Sequence, residues 1–347
     1  MGKQGVMILK LKQACKTPFM VLGLLSLSLS GCDQQISDGT TWDMSLPWAI
    51  NLFHTQNALK FSQAISDKTH GTLTIKVHAG ATLGLEGPDT LRALKEGIVD
   101  IAEAPFFQLV GVEPLLGLES LPFLVNDQEE LKLLYDIMRP KIDQLFAKRG
   151  LKVVYLVPWP NQNIYLKKRA TDLNSIIGTK IRTYDRNTTE MMDTLGLTPL
   201  QLASSDVVPA LASGMVDAVM TSTSTGRSQK YWEFLSHIHR TNHVWITNVM
   251  TVSLKSWQQL PAEQQRILEE TAKELEPHFW QVSAADDQKQ LAVLEENGIE
   301  TVIPDDSLMQ EMRALARPMW RSFIDRVGPD AKEIIDTFLE RTGKQPL

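Results

Sequence analysis

Arg182 closes the charged part of the run Gly178-Thr179-Lys180-Ile181-Arg182-Thr183-Tyr184, which reads as a short strand over Thr179–Tyr184. A guanidinium late in a strand offers a planar fork that matches a carboxylate through two parallel hydrogen bonds. Residues beyond the carboxyl ends of strands are where open α/β sheets gather their ligands. Lys180 and Arg182 share one strand face, however, and the spacing alone equally describes two solvated charges.

Signatures of catalysis are missing. The chain has no G-x-S-x-G elbow, P-loop, G-x-G-x-x-G or H-E-x-x-H. His237, His239 and His243 form the one close histidine group. His237 and His239 could share a strand face, but no acidic or sulfur ligand lies nearby in sequence, so exposed loop histidines are the simpler reading. The carboxylates are spread over helices with no pair that stands out as an acid/base couple, and read as solvated surface. We therefore expect neither enzyme activity, cofactor nor metal.

The elements that must position Arg182 follow from the hydropathy pattern. Of 347 residues, 43% are hydrophobic and 22% charged, which excludes a disordered chain, a fibrous repeat and a polytopic membrane protein. Helix-period and strand-period stretches alternate from Trp42 to about Pro304, which argues α/β. Predicted helices cover Asn57–Thr69, Pro88–Glu96, Asp206–Ser213, Pro261–Asn297 and Leu308–Leu339. Predicted strands cover Thr72–His78, Leu151–Val157, Thr179–Tyr184 and Trp245–Leu254. Ala93-Leu94-Lys95-Glu96-Gly97-Ile98-Val99-Asp100 is echoed by Ala210-Leu211-Ala212-Ser213-Gly214-Met215-Val216-Asp217. Any helix–glycine–strand junction can read this way; two similarly built α/β lobes would read this way too, with Glu103–Phe106 and Met220–Ser224 facing a cleft between them.

The N-terminus has the three parts of a secretory signal. Lys10, Lys12 and Lys16 precede the apolar run Phe19–Leu29, too short to span a bilayer, and Leu29-Ser30-Gly31-Cys32 resembles a bacterial lipobox. That resemblance implies a signal peptide over residues 1–31, acylation of Cys32 and a polar tether over 32–41. Asp33 resembles the signal that retains lipoproteins on the inner membrane of bacteria with two membranes; in a single-membrane bacterium the anchor would be the outer face of the cell membrane. Cys15 leaves with the signal, so no disulfide is expected. The first 31 residues carry four lysines and no acid, and their removal leaves 31 basic against 41 acidic residues, a poor footprint for nucleic-acid binding.

From about Trp42 to about Asp336 the chain resembles the solute-binding subunits of TRAP transporters, of the DctP type. The matching stretches run in order: Gly71-Thr72-Leu73-Thr74-Ile75 with Leu83-Gly84, Leu94–Asp100, Ser120-Leu121-Pro122-Phe123, Gly178–Arg182, Ala210–Asp217 and Ser256–Pro261. The resemblance implies a two-lobed, periplasmic-binding-protein-like α/β fold with a hinge and a long bracing helix. Lobe I would take 42–158 plus about 245–283, and lobe II 159–244 plus about 284–347. It implies an extracytoplasmic receptor that closes on a small organic acid and delivers it to the small and large permease subunits. The alternatives are a sensory receptor for an organic acid, or an extracytoplasmic enzyme acting on one.

The family's carboxylate-binding arginine falls on Arg182. A further family arginine some 20 residues upstream is replaced here by Gln162 or Asn163, and a glutamate-asparagine-proline run by Ala218–Ser222. These departures suggest one recognised carboxylate, with amide and hydroxyl side chains meeting the other polar groups. Asn163 and Thr221 are the expected neutral partners. Trp159 and Trp245 are expected as apolar walls, and Tyr184 as a hydroxyl. Trp48 and Phe106, after first-lobe strands, would line the opposite wall, although Phe106 also reads as plain core.

Overall fold

A computed structural model describes residues 39–347; the expected signal peptide, Cys32 and most of the expected tether lie outside the described residues. The first sheet contains β1 (Thr40–Ser45), β2 (Leu73–His78), β3 (Ile101–Pro105), β4 (Leu151–Pro158) and the later β10 (Thr247–Ser253), in the order β2-β1-β3-β10-β4. The second contains β5 (Asn163–Leu166), β6 (Lys180–Thr183), β7 (Thr198–Gln201), β8 (Ala218–Thr221), β9 (His237–His239) and β11 (Glu300–Val302), in the order β11-β9-β5-β8-β6-β7. Helices α1 (Phe53–Lys68), α2 (Pro88–Glu96), α3 (Phe106–Leu109) and α4 (Gln128–Lys148) belong to the first half. They are followed by α5 (Arg186–Thr194), α6 (Val207–Ala212), α7 (Thr223–Ser228), α8 (Leu254–Gln259), α9 (Ala262–Glu296), α10 (Asp306–Ala316), α11 (Pro318–Val327) and α12 (Pro329–Thr342).

The internal echo in the sequence is a repeat of structure. β1-α1-β2-α2-β3 and β6-α5-β7-α6-β8 are both parallel β-α-β-α-β units with the first strand in the middle. Each unit ends its second helix at a left-handed glycine, Gly97 (φ 76°) and Gly214 (φ 71°). The backbone N–H of Ile98 reaches Ala93 O at 2.8 Å and that of Met215 reaches Ala210 O at 2.9 Å, the wide turn that only a residue free to take positive φ closes without strain. Beside each unit lies one antiparallel strand, β10 in the first sheet and β5 in the second.

The chain passes between the sheets from β4 to β5 and returns from β9 to β10. The two passing segments run side by side: Trp159 N–H donates to Ile246 O at 2.8 Å, Gln162 N–H to Val244 O at 3.0 Å and His243 N–H to Gln162 O at 3.2 Å. A paired double crossing of this kind lets two lobes rotate about few residues.

Helix α9 has 35 residues and is therefore about 50 Å long. Its middle lies on the first sheet, where Trp280 Nε1 donates to Leu156 O at 2.7 Å and Glu276 accepts from Leu156 N–H at 2.9 Å. Further along, Asp287 accepts from Thr223 Oγ1 at 2.8 Å and from Arg240 Nη2 at 2.6 Å, both in the second half. The protein is thus a two-lobed α/β fold braced by one long helix. The stretch Leu308–Leu339 is three helices, because Pro318 and Pro329 start new ones. Residues Trp320, Phe323, Ile335 and Phe338 of α11 and α12, grouped with lobe II in the sequence reading, pack in one core with Leu134, Met138 and Ile142 of α4.

Candidate functional site

β6 delivers Arg182 to the junction of the lobes. Its side chain is only 4% exposed, whereas Lys180, on the same strand face, is exposed. Arg182 Nε donates to Leu202 O at 3.1 Å, and the guanidinium carbon lies 5.5 Å from the centre of the Tyr184 ring. Among the described residues no carboxylate comes within 4.0 Å of it. Burial pushes its pKa below the ordinary guanidinium value, while Tyr231, Tyr184 and Asp185 pull the other way. A buried charge held by one carbonyl and a ring face is incompletely compensated, and an anion is the natural remedy.

Around Arg182 lie further buried polar atoms with no hydrogen-bond partner among the described residues, Tyr184 Oη and Asp185 Oδ2. Asp185 caps α5 through Oδ1, which accepts from Thr188 N–H at 2.8 Å. Burial raises its pKa, with Thr188 lowering it.

The lobes touch here. The Tyr184 ring faces Phe107 of the first lobe with centroids 5.0 Å apart. Asn187 Nδ2, in the first turn of α5, donates to Gly117 O at 2.8 Å and Ser120 Oγ at 3.0 Å, and its Oδ1 accepts from Arg326 of α11 at 3.1 Å.

The wall beside the end of the first sheet is aromatic, and Trp48 and Trp159, expected on opposite walls, share it because the chain after β4 stays alongside the first sheet. Trp48 and Trp159 meet edge to face at 4.8 Å, with Phe53 at 5.4 Å and the His54 ring at 4.3 Å from Trp159. Trp159 Nε1 donates to Asn248 Oδ1 at 2.9 Å. Beneath them His54 Nδ1 bonds Glu103 Oε1 at 3.0 Å.

The remaining expected residues are placed differently. Asn163 and Thr221 pair across β5 and β8, both buried. The Asn163 amide is committed within the two crossing segments, donating to Asn161 O at 3.1 Å and accepting from Asn242 N–H at 3.3 Å. Phe106 points into the first-lobe core, 6.2 Å from Tyr135 and 6.5 Å from Phe146, and Phe107 takes the wall position. Trp245 packs in that same core with Val249 and Leu156, on the opposite sheet face from Trp159. The histidines are not loop residues on the surface. His239 Nε2 accepts from Ala170 N–H at 2.8 Å and His243 bonds Thr241 Oγ1 at 2.7 Å; burial lowers their pKa values to about 4 and about 3, which keeps both neutral. No three His, Cys, Asp or Glu side chains cluster as metal ligands among the described residues.

Sequence reasoning missed His54, Asn248, Phe107 and Asn187, and placed Glu103 only within the strand-end segment Glu103–Phe106, with no role of its own. Glu103 did carry a signal, a lone acid inside the apolar strand Ile101-Ala102-Glu103-Ala104.

Comparison with known proteins matches residues 48–326 to the family described as bacterial extracellular solute-binding protein, family 7, DctP. A solved structure of similar fold is DctP7 of Bordetella pertussis, an extracytoplasmic solute receptor binding pyroglutamic acid. It has 28% identity, covers 86% of this chain and 99% of its own, and has a TM-score of 0.82. A marine metagenome TRAP solute-binding protein specific for pyroglutamate has 28% identity, 87% and 99% coverage and a TM-score of 0.81. The sialic acid-binding periplasmic protein SiaP of Vibrio cholerae is 19% identical over 317 residues, 89% of this chain and 95% of that one. The paired lobes, the double crossing and the bracing helix are those of a receptor that closes on its solute, and the chain belongs to the DctP-type solute-binding proteins of TRAP transporters.

Proposed function

We propose that this protein captures a small monocarboxylic acid of the pyroglutamate type, with Arg182 as the carboxylate partner, and hands it to the TRAP permease subunits. One observation carries the reading: Arg182 is a buried guanidinium at the lobe junction whose polar partner is a single backbone carbonyl. In the open cleft water solvates it. Closure removes that water, and an anion paired through the planar fork offsets the cost, so charge pairing couples binding to closure. Tyr184 supplies a hydroxyl, Trp48, Trp159 and Phe107 supply apolar walls, and Thr221 lies at the end of β8. The two solved relatives at 28% identity, both pyroglutamate receptors, support this ligand class. The lobes are read as 42–158 plus 245–283 and 159–244 plus 284–347, with α11 and α12 reaching back onto the first.

In the same reading Cys32 is acylated and holds the receptor at the periplasmic face of the inner membrane. Mass spectrometry of the membrane fraction should find the acyl chains on Cys32, and Cys32→Ala should release the protein. The ligand class is tested by a thermal-shift screen of organic acids on the chain beginning after Cys32. Pyroglutamate at 100 times its Kd adds about 2.7 kcal/mol of stability, an easily read upward shift. A flat response to pyroglutamate alongside a clear response to dicarboxylates would overturn the monocarboxylate reading.

A further inference from the structure

The first-lobe wall holds buried polar chemistry that carboxylate binding does not use. Trp48 Nε1, His54 Nε2, Glu103 Oε2 and Asn248 Nδ2 are each buried with no hydrogen-bond partner among the described residues. They belong to one group. Glu103 and His54 are bonded at 3.0 Å, the His54 ring lies 4.3 Å from Trp159 and 6.2 Å from Trp48, and Trp159 is bonded to Asn248 at 2.9 Å. Buried polar atoms are otherwise almost always satisfied, so four orphans in one cluster need a reason.

Their types are complementary to one chemical group. The indole N–H of Trp48 and the amide N–H of Asn248 can only donate. Glu103 takes the His54 Nδ1–H on Oε1, and its free Oε2 accepts. The two donors and the Glu103 acceptor match a cis-amide edge, in which a carbonyl oxygen and an N–H sit side by side; His54 Nε2, the fourth orphan, is left an acceptor by the Nδ1–H tautomer. The group lies at the junction end of the first sheet. Glu103 is two residues before the end of β3, and Phe107, just beyond that end, faces Tyr184, two residues past Arg182.

We propose that Trp48, Asn248 and Glu103, with His54 orienting Glu103, form a second recognition element that reads the lactam edge of the ligand: Trp48 and Asn248 donate to its carbonyl and Glu103 Oε2 accepts its N–H. This rests on the carboxylate reading above and narrows it to acids that carry an amide N–H on the carbon bearing the carboxylate. A site built to bond a substrate N–H rejects the analogue that lacks it, because the buried acceptor then faces a lone pair.

The test compares L-pyroglutamate with 5-oxotetrahydrofuran-2-carboxylate, which has the same ring, carbonyl and carboxylate but an oxygen in place of N–H. By titration calorimetry the wild-type protein should bind the lactam at least about 30-fold more tightly than the lactone. Glu103→Gln, whose amide can turn to donate or accept, should bring the ratio below about 3. Trp48→Phe should weaken both ligands by about 5-fold or more and leave the ratio intact, since the carbonyl is common to both. Equal wild-type affinities would overturn the lactam element and leave the carboxylate reading standing; so would a Glu103→Gln protein that loses both ligands equally, the mark of a merely structural acid. If neither compound binds the wild-type protein, the pyroglutamate-type reading itself falls, and this element with it. The wild-type ratio needs no variant, so the proposal stays testable even if Glu103→Gln does not fold.

Discussion

Phe107 and Tyr184 face each other across the two lobes with ring centroids 5.0 Å apart, inclined at 53°. Phe107 follows the last strand of the first β-α-β-α-β unit, Tyr184 follows the first strand of the second, and Tyr184 also flanks the Arg182 guanidinium. The contact therefore links closure of the lobes to the surroundings of the proposed carboxylate partner.

Phe107→Ala should weaken ligand binding without unfolding the protein. Phe107 is only partly buried, so the loss of its aromatic contact is worth about 0.5–1.5 kcal/mol beyond lost area. We expect a Kd increase of about 3- to 20-fold, mainly through faster release, with a melting temperature close to wild type. Stopped-flow release with a displacing ligand checks the rate; an unchanged release rate would remove Phe107 from the closure mechanism.

Glu119 predicts the alkaline arm of the stability profile. Burial raises its pKa to about 8, although hydrogen bonds from Tyr135 and from Thr247 N–H at 3.0 Å pull it down. Between the unfolded value near 4.5 and about 8 the native state holds a proton that the unfolded chain has lost, so this group's contribution falls as pH rises through that window. Glu119→Gln keeps one acceptor oxygen for Thr247 N–H, turns its amide N–H toward the Tyr135 hydroxyl and removes the titration. It should flatten that decline and raise stability at pH 8 by about 2–5 kcal/mol, as read from urea midpoints at several pH values. A wild-type slope in the variant would contradict the assignment.

His239 and His243 act on the acid side. Their lowered pKa values, about 4 and about 3, mean that the unfolded chain takes up protons first as pH falls below 6.5, which destabilises the fold progressively down to about pH 3. His243→Gln should make the acid arm shallower in the same titration, and an unaltered arm would count against a buried neutral imidazole.

Gly226→Ala should destabilise the second lobe. A Cβ at this position would stand 2.5 Å from Tyr165 Oη and 2.8 Å from its Cζ, and Tyr165 is fully buried against Tyr231. We expect a loss of about 1–3 kcal/mol, measured by chemical denaturation, and only partial rescue in Gly226→Ala with Tyr165→Phe, which removes the oxygen but leaves the ring carbon at 2.8 Å.

Local pattern carried much of the fold. The Gly97 and Gly214 junctions announced the repeated units because a wide helix-ending turn demands glycine-like φ, and Pro88 marked the start of α2. The strand that carries Arg182 was legible in the sequence, and the family pattern singled the residue out as a candidate. The wall was harder to read. β3 ends at Pro105 and α3 begins at once, so strand alternation stops one residue too early and Phe107, not Phe106, turns toward Tyr184. Trp245 and Trp159 read alike as large aromatics near strand ends, yet they lie on opposite faces of the first sheet. His54 and Glu103 are 49 residues apart and meet only because the fold brings the first turn of α1 to the β3 side chain, a tertiary relationship with no periodic trace.

The central claim rests on Arg182. Titration calorimetry of L-pyroglutamate against wild type, Arg182→Lys and Arg182→Ala tests it most directly. Removing a charged partner that closure desolvates costs about 2–5 kcal/mol, so Arg182→Ala should bind roughly 30- to several-thousand-fold more weakly. Arg182→Lys should recover only part of that, since an ammonium lacks the planar fork. Wild-type affinity in Arg182→Ala would contradict the account.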